Sequence, residues 1–268
     1  MMNLEEIMKV IAFCNQKGGV AKTTSTYALA AGLAKRNYKV LMIDSDPQEN
    51  LSQAAGIDLY NIPASTLSDV FKTEKNEPGA DINETLIPIN ENLDLIIGGI
   101  EFTSADLDYS GVTSREFMLQ RALNKLNKQY DFCIIDCSPT LALITQNVLA
   151  ITDKIVVPMT PEAFATNGAN MLFSWISVMS ERLNNPNLDV AGILVTNCRN
   201  TNNASIWLEG IEMLAKEYEI KVYDTKIHQN VAVEESQTIN QSIYEYAPNA
   251  RATKDYDSFV DEFLKGEK

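Results

Sequence analysis

Short apolar runs alternate with helical patterns along most of the chain. The runs hold few polar residues, which is typical of strands that are covered on both faces of a sheet. They span residues 9–15, 40–44, 93–97, 132–135, 154–159 and 190–196. Apolar residues recur at helical spacing in segments 23–36, 116–128, 163–183 and 205–218. This alternation predicts an α/β fold of three layers, with a mostly parallel, twisted sheet between two layers of helices.

The rest of the chain is less regular. Residues 60–114 are interrupted by prolines, and we expect this segment to wrap one side of the sheet. Residues 221–225 are predicted to form the last strand. A closing helix is predicted over residues 256–264, with Phe259 and Phe263 facing inward.

Length and composition favour one domain over residues 1–268. The chain has 268 residues, of which 45% are hydrophobic, enough for one large core. Its net charge of −14 argues against whole-surface binding to nucleic acid or anionic lipid, while leaving room for a local basic patch. No apolar run approaches the length of about 20 residues that spans a bilayer, and the opening segment is acidic. We therefore expect a cytoplasmic protein.

Four cysteines lie mostly in apolar segments, without the paired spacing of a zinc site or of a disulfide framework. They are Cys14, Cys133, Cys137 and Cys198. We interpret them as reduced core residues.

A glycine-rich turn joins the first predicted strand to the first predicted helix. Such a turn exposes backbone N–H groups, and the helix N-terminus adds a dipole that favours an anion. Lys22 would meet the β- and γ-phosphates of a nucleotide, and the Thr23 hydroxyl would bind Mg²⁺. The predicted phosphate contacts are Gly18, Gly19, Val20, Ala21, Lys22, Thr23 and Thr24. The alternative is an ordinary surface turn before a helix.

The loop departs from ordinary Walker A spacing, because Gln16 and Ala21 stand where glycines are expected. A second lysine, Lys17, precedes the glycine pair. In these features the loop resembles the deviant Walker A family of ParA, MinD and the nitrogenase iron protein. The resemblance implies a sandwich dimer in which Lys17 reaches the partner's nucleotide and Lys22 binds the nucleotide of its own subunit. The family usually has glycine at position 21, and alanine fits there only if its φ is negative.

Two carboxylates follow the second predicted strand, in the sequence Asp44-Ser-Asp46-Pro-Gln. The segment resembles the family's Asp-x-Asp-Pro-Gln motif. By that resemblance, Asp46 orients the attacking water and Asp44 supports the metal shell, as phosphoryl transfer requires. The alternative is a helix N-cap formed by Ser45 or Asp46.

A third carboxylate, Asp136, ends the apolar run that begins at Phe132. This pattern is typical of a Walker B strand, whose carboxylate holds Mg²⁺ through a water molecule. With Thr23 and Asp44, Asp136 completes the predicted metal site. Ligands of parallel sheets bind at the carboxyl ends of strands, where all three acidic side chains are expected.

The resemblance to the ParA branch extends along nearly the whole chain. It includes residues 93–97, 136–147, 158–164 with Gly168, and 227–231 with Glu235 and Tyr246. By the same resemblance, Asn197 contacts the adenine at the end of its strand. A turn asparagine with satisfied hydrogen bonds is the alternative for Asn197.

The resemblance implies a slow, partner-stimulated ATPase that binds ATP and Mg²⁺ and forms an ATP-dependent homodimer. A ParB-like centromere-binding protein is the expected partner, and segregation of plasmid, chromosome or mobile-element DNA is the expected process. We expect no N-terminal helix-turn-helix domain, because no extension precedes the first predicted strand. We expect no MinD-type membrane helix either, because the C-terminal segment is short and acidic.

Nonspecific DNA binding, and with it nucleoid association, is supported less well. Relatives that bind DNA usually carry arginine where this chain has His228-Gln229 and Ala232. The electrostatic contribution to nonspecific DNA affinity is therefore reduced. The remaining candidates for DNA contact are Arg199, Arg251 and Lys254. We interpret His228 as a loop residue at the surface.

Two other functions stay open. One is an ATP-switched protein that positions a cargo other than DNA, which the acidic surface favours. The other is an iron–sulfur or electron-transfer ATPase, which requires cysteines such as Cys133 and Cys137 on loops at the dimer axis.

Overall fold

Eight strands form one sheet in the computed structural model, which describes residues 8–162, 165–199 and 202–267. Predictions that rest on residues 1–7, on Ala163 and Phe164, or on Lys268 lie outside these ranges. The strands are β1 (Lys9–Phe13), β2 (Val40–Asp44), β3 (Ile87–Asn90), β4 (Leu93–Ile97), β5 (Phe132–Asp136), β6 (Lys154–Met159), β7 (Asp189–Cys198) and β8 (Val222–His228). Their order is β3-β4-β2-β5-β1-β6-β7-β8, and every pair is parallel except β3 with β4.

Helices connect the strands and cover the sheet. They are α1 (Lys22–Lys35), α2 (Asn50–Ala54), α3 (Leu67–Lys72), α4 (Ala105–Asp108), α5 (Met118–Leu123), α6 (Leu143–Leu149), α7 (Ala165–Arg182), α8 (Asn202–Glu217), α9 (Val231–Thr238), α10 (Ile243–Tyr246) and α11 (Arg251–Gly266). Short 3-10 turns precede β3 and α4 and follow α3.

Each face of the sheet has its own hydrophobic core. Along β1, Val10 and Ala12 pack into one core, while Ile11 and Phe13 pack into the other. Successive side chains of a strand point to opposite faces, so a strand covered on both faces needs apolar residues at every position. The three-layer α/β fold predicted from the apolar runs is therefore confirmed.

Helix α11 closes the second core. Its buried residues include Tyr256, Phe259, Val260 and Phe263, at the spacing of one helical face. Phe259 packs edge-on against Tyr223 of β8, with ring centroids 5.0 Å apart. The prediction that Phe259 and Phe263 face inward is confirmed.

Some element boundaries differ from the prediction. Strand β8 extends to His228, and the helix expected over residues 116–128 is reduced to α5 with a 3-10 turn before it. The antiparallel strand β3 differs from the expectation that Pro88 interrupts regular structure in this segment. Proline is tolerated in β3 because this strand lies at the edge of the sheet.

The central strands bring the candidate residues together. Strand β5 lies between β2 and β1, with Asp44 paired in register to Asp136 and Phe13 paired to Asp136. The loop after β1 therefore begins beside both carboxylates. Across the described ranges, no helix has the length and apolar character needed to cross a membrane.

Candidate functional site

The loop between β1 and α1 has the conformation of an anion-binding turn. Gly19 has a φ of +72°, which favours glycine. A Cβ atom added to Gly18 or Gly19 would meet no atom within 4 Å. Packing within the chain therefore does not explain the glycine at position 18, whereas close approach of a ligand would.

Ala21 corrects one expectation from the sequence. It caps α1 with φ +61° and ψ +34°, so its φ is positive rather than negative. The left-handed conformation costs a residue with a Cβ about 1–2 kcal/mol. The carbonyl of Ala21 accepts a bond from the N–H of Ser25 at 2.9 Å, which starts the helix. The loop therefore adopts a left-handed residue at position 21, where the family usually has glycine, despite the alanine.

Two side chains at the end of β7 donate hydrogen bonds to carbonyl groups of the loop. The Thr196 hydroxyl donates to the carbonyl of Val20 at 3.0 Å, and Asn197 Nδ2 donates to the carbonyl of Gly19 at 3.3 Å. A trans peptide directs its C=O and N–H in opposite directions. The N–H groups of Val20 and Ala21 therefore point away from β7.

Asp136 is a buried acidic group beside the loop. The Thr23 hydroxyl donates a hydrogen bond of 2.5 Å to Asp136 Oδ2. Asp136 Oδ1 is buried and has no hydrogen-bond partner. Burial, followed by the charge of Asp44, raises the pKa of Asp136 to about 8, against the opposing effects of Thr23 and Lys22. A buried oxygen without a partner is costly unless a ligand or water binds it.

Asp44 is also fully buried, but its oxygens have partners in the chain. Ser52 donates to Asp44 Oδ2 from its N–H at 2.8 Å and from its hydroxyl at 2.7 Å. The N–H of Asp46 donates to the other oxygen at 3.3 Å. Burial raises the pKa of Asp44 to about 7, while the bonds from Ser52 lower it. Asp136 therefore offers a freer oxygen than Asp44.

Asp46 lies at the same edge of the sheet and lines the cavity described below. Its Oδ1 accepts a bond from the N–H of Gln48 at 3.0 Å. The alternative interpretation as a helix N-cap is wrong, because α2 begins only at Asn50 with Glu49 as its N-cap. The turn places Asp46 beside the loop rather than at a helix end.

The two lysines of the loop point in different directions. Lys22 is buried, and its ammonium donates to the carbonyl of Lys17 at 3.4 Å. The ammonium of Lys17 instead contacts Glu162 Oε2 at 2.9 Å and the Thr160 hydroxyl at 3.4 Å. Lys22 therefore faces the loop of its own chain, while Lys17 lies against the segment after β6.

A cavity of about 790 Å³ adjoins the loop, within the range of small-molecule sites. Its lining includes Gly18, Gly19, Ala21, Lys22, Thr23, Thr24, Asp46, Phe102, Asp106, Thr140, Gln237 and Asn240. Of the predicted loop contacts, Val20 does not line the cavity and is itself buried. The cavity thus joins the loop to Asp46.

Several residues of the site were missed from the sequence. Gln237 of α9 donates to the Thr24 hydroxyl at 2.7 Å, and Ser52 holds Asp44 as described. Asn15 Nδ2 donates to the carbonyl of Pro158 at 2.7 Å and fixes the start of the loop against β6. These contacts join distant parts of the chain, and the polar character of each residue was the only signal in the sequence.

Residues near the predicted adenine contact have partners of their own. Asn197 is half-buried with φ +51° and bonds to the loop, as a turn asparagine does. His228 is the last residue of β8, and its Nδ1 lies 2.9 Å from Asp255 Oδ2. The expectation that His228 is a surface loop residue is therefore wrong, because this contact holds its ring against α11.

The cysteines lie in or at the edge of the core. Cys14, Cys133 and Cys137 are buried, and Cys198 is half-buried. Burial raises the pKa of the Cys133 thiol. Within the described ranges, no group of three or more His, Cys, Asp or Glu side chains is arranged to hold a metal. The iron–sulfur alternative needs cysteines on loops at the dimer axis, whereas Cys133 lies within β5 and both Cys133 and Cys137 are buried.

Comparison with known proteins identifies the family. A family model described as an AAA domain matches residues 8–190. The sporulation initiation inhibitor protein Soj of Bacillus subtilis is 34% identical over 249 residues, which cover 92% of this chain and 95% of Soj. The chain belongs to the ParA family of ATPases. The chromosome partitioning protein ParA of Myxococcus xanthus is also 31% identical, over 96% of this chain and 88% of its own length.

A solved structure with the same fold contains an ATP analogue and magnesium. A Mycobacterium smegmatis protein described as cobyrinic acid a,c-diamide synthase, crystallised with an ATP analogue and magnesium, is 28% identical to this chain. It aligns with a TM-score of 0.83 over 98% of this chain and 96% of its own. The resemblance to the ParA branch stated from the sequence is confirmed.

Proposed function

We propose that this chain is an ATP-dependent, dimerising ATPase switch for the partition of plasmid, chromosome or mobile-element DNA. The observation that carries the proposal is the buried, unpartnered Oδ1 of Asp136 beside the Thr23 hydroxyl, at the mouth of a glycine loop. A triphosphate with a divalent cation meets the needs of both the loop and the carboxylate. The family membership and the ATP analogue bound to the Mycobacterium smegmatis protein support the same ligand.

The donor set fits Mg²⁺ bound together with phosphates. Mg²⁺ is usually held by one or two carboxylates, water and substrate phosphates rather than by an all-protein cage. Thr23 and Asp136 would hold it, with Asp44 beside them. Bound Mg²⁺ supplies positive charge that offsets the charge of the phosphates. Burial, and then the charges of Asp44 and Asp46, raise the pKa of Asp136, and a cation bound beside Asp136 would offset the repulsion between these charges.

Each loop residue has a distinct role in this proposal. The backbone N–H groups of residues 18–24 bind the phosphates, and Lys22 contacts the β- and γ-phosphates. Asp46 orients the attacking water beside the γ-phosphate. Asn197 contacts the adenine, in exchange for its bond to Gly19. The reaction is hydrolysis of ATP to ADP and phosphate.

Lys17 acts across a homodimer. Its ammonium does not point into its own cavity in this structure, and its side chain is partly exposed. In the dimer, Lys17 of each subunit reaches the nucleotide of the other. ATP therefore joins the subunits, and its hydrolysis separates them.

DNA and a ParB-like protein are the proposed partners of the cytoplasmic dimer. Arg199 Nε donates to Gln229 Oε1 at 2.6 Å, which brings a guanidinium to the loop that lacks the family's arginines. Arg251 and Lys254, both exposed, lie on the first turn of α11. These three cations would contact phosphates of nucleoid DNA without reading its sequence.

A DNA shift assay with ATP, with ADP and without nucleotide tests the DNA step. We expect a shift with ATP that weakens steeply as salt rises. Arg199→Ala should weaken the DNA shift. Arg182→Ala should leave it unchanged, because the exposed Arg182 ends α7 near the amino ends of the strands, away from Arg199. Absence of any shift would contradict DNA binding.

A cargo other than DNA is the second candidate. The net charge of −14 and the absence of arginine at positions 228, 229 and 232 favour it. In that case the ATP-dependent dimer would form as before, but no DNA shift would appear at low or high salt. The DNA shift assay is therefore the experiment that distinguishes the two candidate functions.

A further inference from the structure

The side chain of Lys17 is held by one segment of its own chain. Its ammonium lies 2.9 Å from Glu162 Oε2 and 3.4 Å from the buried Thr160 hydroxyl. The backbone of the same residue is fixed to this segment as well. The N–H of Lys17 donates to Asn15 Oδ1 at 3.0 Å, and Asn15 donates in turn to the carbonyl of Pro158.

The contact with Glu162 is an ion pair that solvent can reach. The side chains of Lys17 and Glu162 are 38% and 59% exposed. The hydrogen bond from Lys17 lowers the pKa of the Glu162 carboxyl, so Glu162 carries its charge at neutral pH. An exposed pair of this kind is weak and exchanges readily for another partner.

The intrachain contacts of Lys17 compete with its proposed contact across the dimer. To reach phosphates of another subunit, as the proposed function requires, the ammonium must extend away from Glu162 and Thr160 of its own chain. Dimer formation must therefore replace Glu162 by the partner's nucleotide at each of the two sites. The free energy of the intrachain ion pair is lost at both sites, so it opposes the free energy of dimerisation twice.

We infer that Glu162 is a positioning residue that holds Lys17 in the free subunit. It thereby sets the protein concentration at which nucleotide-bound subunits form the dimer. The inference rests on the proposed function, in which Lys17 acts in trans. It gives the segment after β6 a regulatory part in the switch: any partner that draws Glu162 away from Lys17 promotes the dimer.

The test is the dimer dissociation constant, measured by sedimentation in the presence of Mg²⁺ and a slowly hydrolysed ATP analogue. Glu162→Gln keeps the shape of the side chain and removes its charge. Exposed ion pairs shift equilibria by about 1.4- to 5-fold each, so two pairs predict a dimer about 2- to 25-fold tighter. The gain should shrink between low and high salt, because salt screens the intrachain pair.

A control separates the specific contact from net charge. Glu181→Gln removes one exposed acidic charge on α7, away from Lys17, and lowers the repulsion between subunits without freeing the lysine. It should change the dissociation constant much less than Glu162→Gln. Thr160→Val, which removes the second acceptor of Lys17, should tighten the dimer in the same direction. This variant keeps the test decisive if Glu162→Gln unfolds.

The outcomes distinguish this inference from the proposed function. If Lys17→Ala dimerises like the wild type, the trans role of Lys17 is wrong. If Lys17→Ala loses the dimer while Glu162→Gln leaves it unchanged or weaker, the proposed function stands and the holding role of Glu162 is wrong. A tighter Glu162→Gln dimer that Glu181→Gln matches would equally overturn the role of Glu162.

Discussion

The Thr23 hydroxyl donates a hydrogen bond of 2.5 Å to Asp136 Oδ2, and the other oxygen of Asp136 is buried without a partner. Thr23 lies in the first turn of helix α1, and Asp136 ends strand β5, which pairs with β1. A strand end and a helix start therefore meet at one point, where an oxygen is left to bind a ligand. This arrangement is the main support for the proposed metal site.

Asp136→Asn should weaken the dependence of nucleotide binding on Mg²⁺. The amide retains the shape of the side chain but loses the negative charge that would hold the ion through water. Loss of a group that acts through another ligand typically lowers metal affinity by about 10- to 100-fold. Titration of Mg²⁺ at a fixed ATP concentration measures the change. Asp189→Asn, at the start of β7 on the opposite edge, should leave the titration unchanged.

The stability of the ligand-free protein should fall as pH rises. Burial raises the pKa of Asp44 to about 7 and that of Asp136 to about 8; the charge of Asp46 adds to the shift of Asp44, and the charge of Asp44 adds to that of Asp136. Between the ordinary carboxyl pKa and these values, the folded state binds more protons than the unfolded state. The free energy of unfolding therefore decreases from about pH 4 to pH 8 and flattens above. Urea unfolding at pH 5.5, 7 and 8.5 measures the slope.

The Asp136→Asn variant provides the control for this pH dependence. Removing one of the two coupled carboxyls should flatten the decline and raise the relative stability at pH 8.5. A wild type whose stability rises over this range would contradict the raised pKa values. An unchanged slope in the variant would do the same.

Ala21→Gly should stabilise the protein, whereas a glycine introduced inside helix α1 should destabilise it. The substitution relieves a left-handed alanine, worth about 1–2 kcal/mol, and loses about 0.5–1 kcal/mol to the greater freedom of glycine in the unfolded state. Ala31→Gly, in the interior of α1, should instead destabilise by about 1 kcal/mol. Thermal unfolding compares the two. Equal losses in both variants would show that Ala21 is not strained.

Ser52→Ala should destabilise the ligand-free protein through Asp44. The hydroxyl of Ser52 is one of two donors from this residue to a fully buried carboxylate. Loss of a partner by a buried polar group costs about 1–3 kcal/mol. The cost should be smaller in an Asp44→Asn background, because the two side chains are coupled. Equal costs in both backgrounds would place the effect of Ser52 elsewhere.

Local patterns in the sequence predicted the sheet and the loop. Strands such as Val40–Asp44 are apolar at every position because helices cover both faces, and that pattern is visible without any contact. Gly18, Gly19 and Lys22 form a local motif that indicates phosphate binding. Asp44 and Asp136 were predicted together because strand ends of a parallel sheet meet at one edge.

Contacts between distant residues were beyond local patterns. The left-handed conformation of Ala21 follows from a loop whose Val20 carbonyl is held by Thr196, 176 positions later. Ser52 binds Asp44 because a turn brings the two residues together, and no periodic pattern in the sequence predicts the length of that turn. The partner of Lys17, Glu162, lies 145 positions away. Thr196, Ser52 and Glu162 are ordinary polar residues in the sequence, and their specific contacts arise only in the folded chain.

The most direct test is calorimetric titration of the protein with ATP in Mg²⁺ and in EDTA. The account predicts saturable binding of one ATP per chain that is tighter with Mg²⁺. It also predicts that Lys22→Gln loses about 10- to 100-fold in affinity, as expected for a charge-assisted contact. Binding of no ATP in either buffer by the folded wild type would contradict the account.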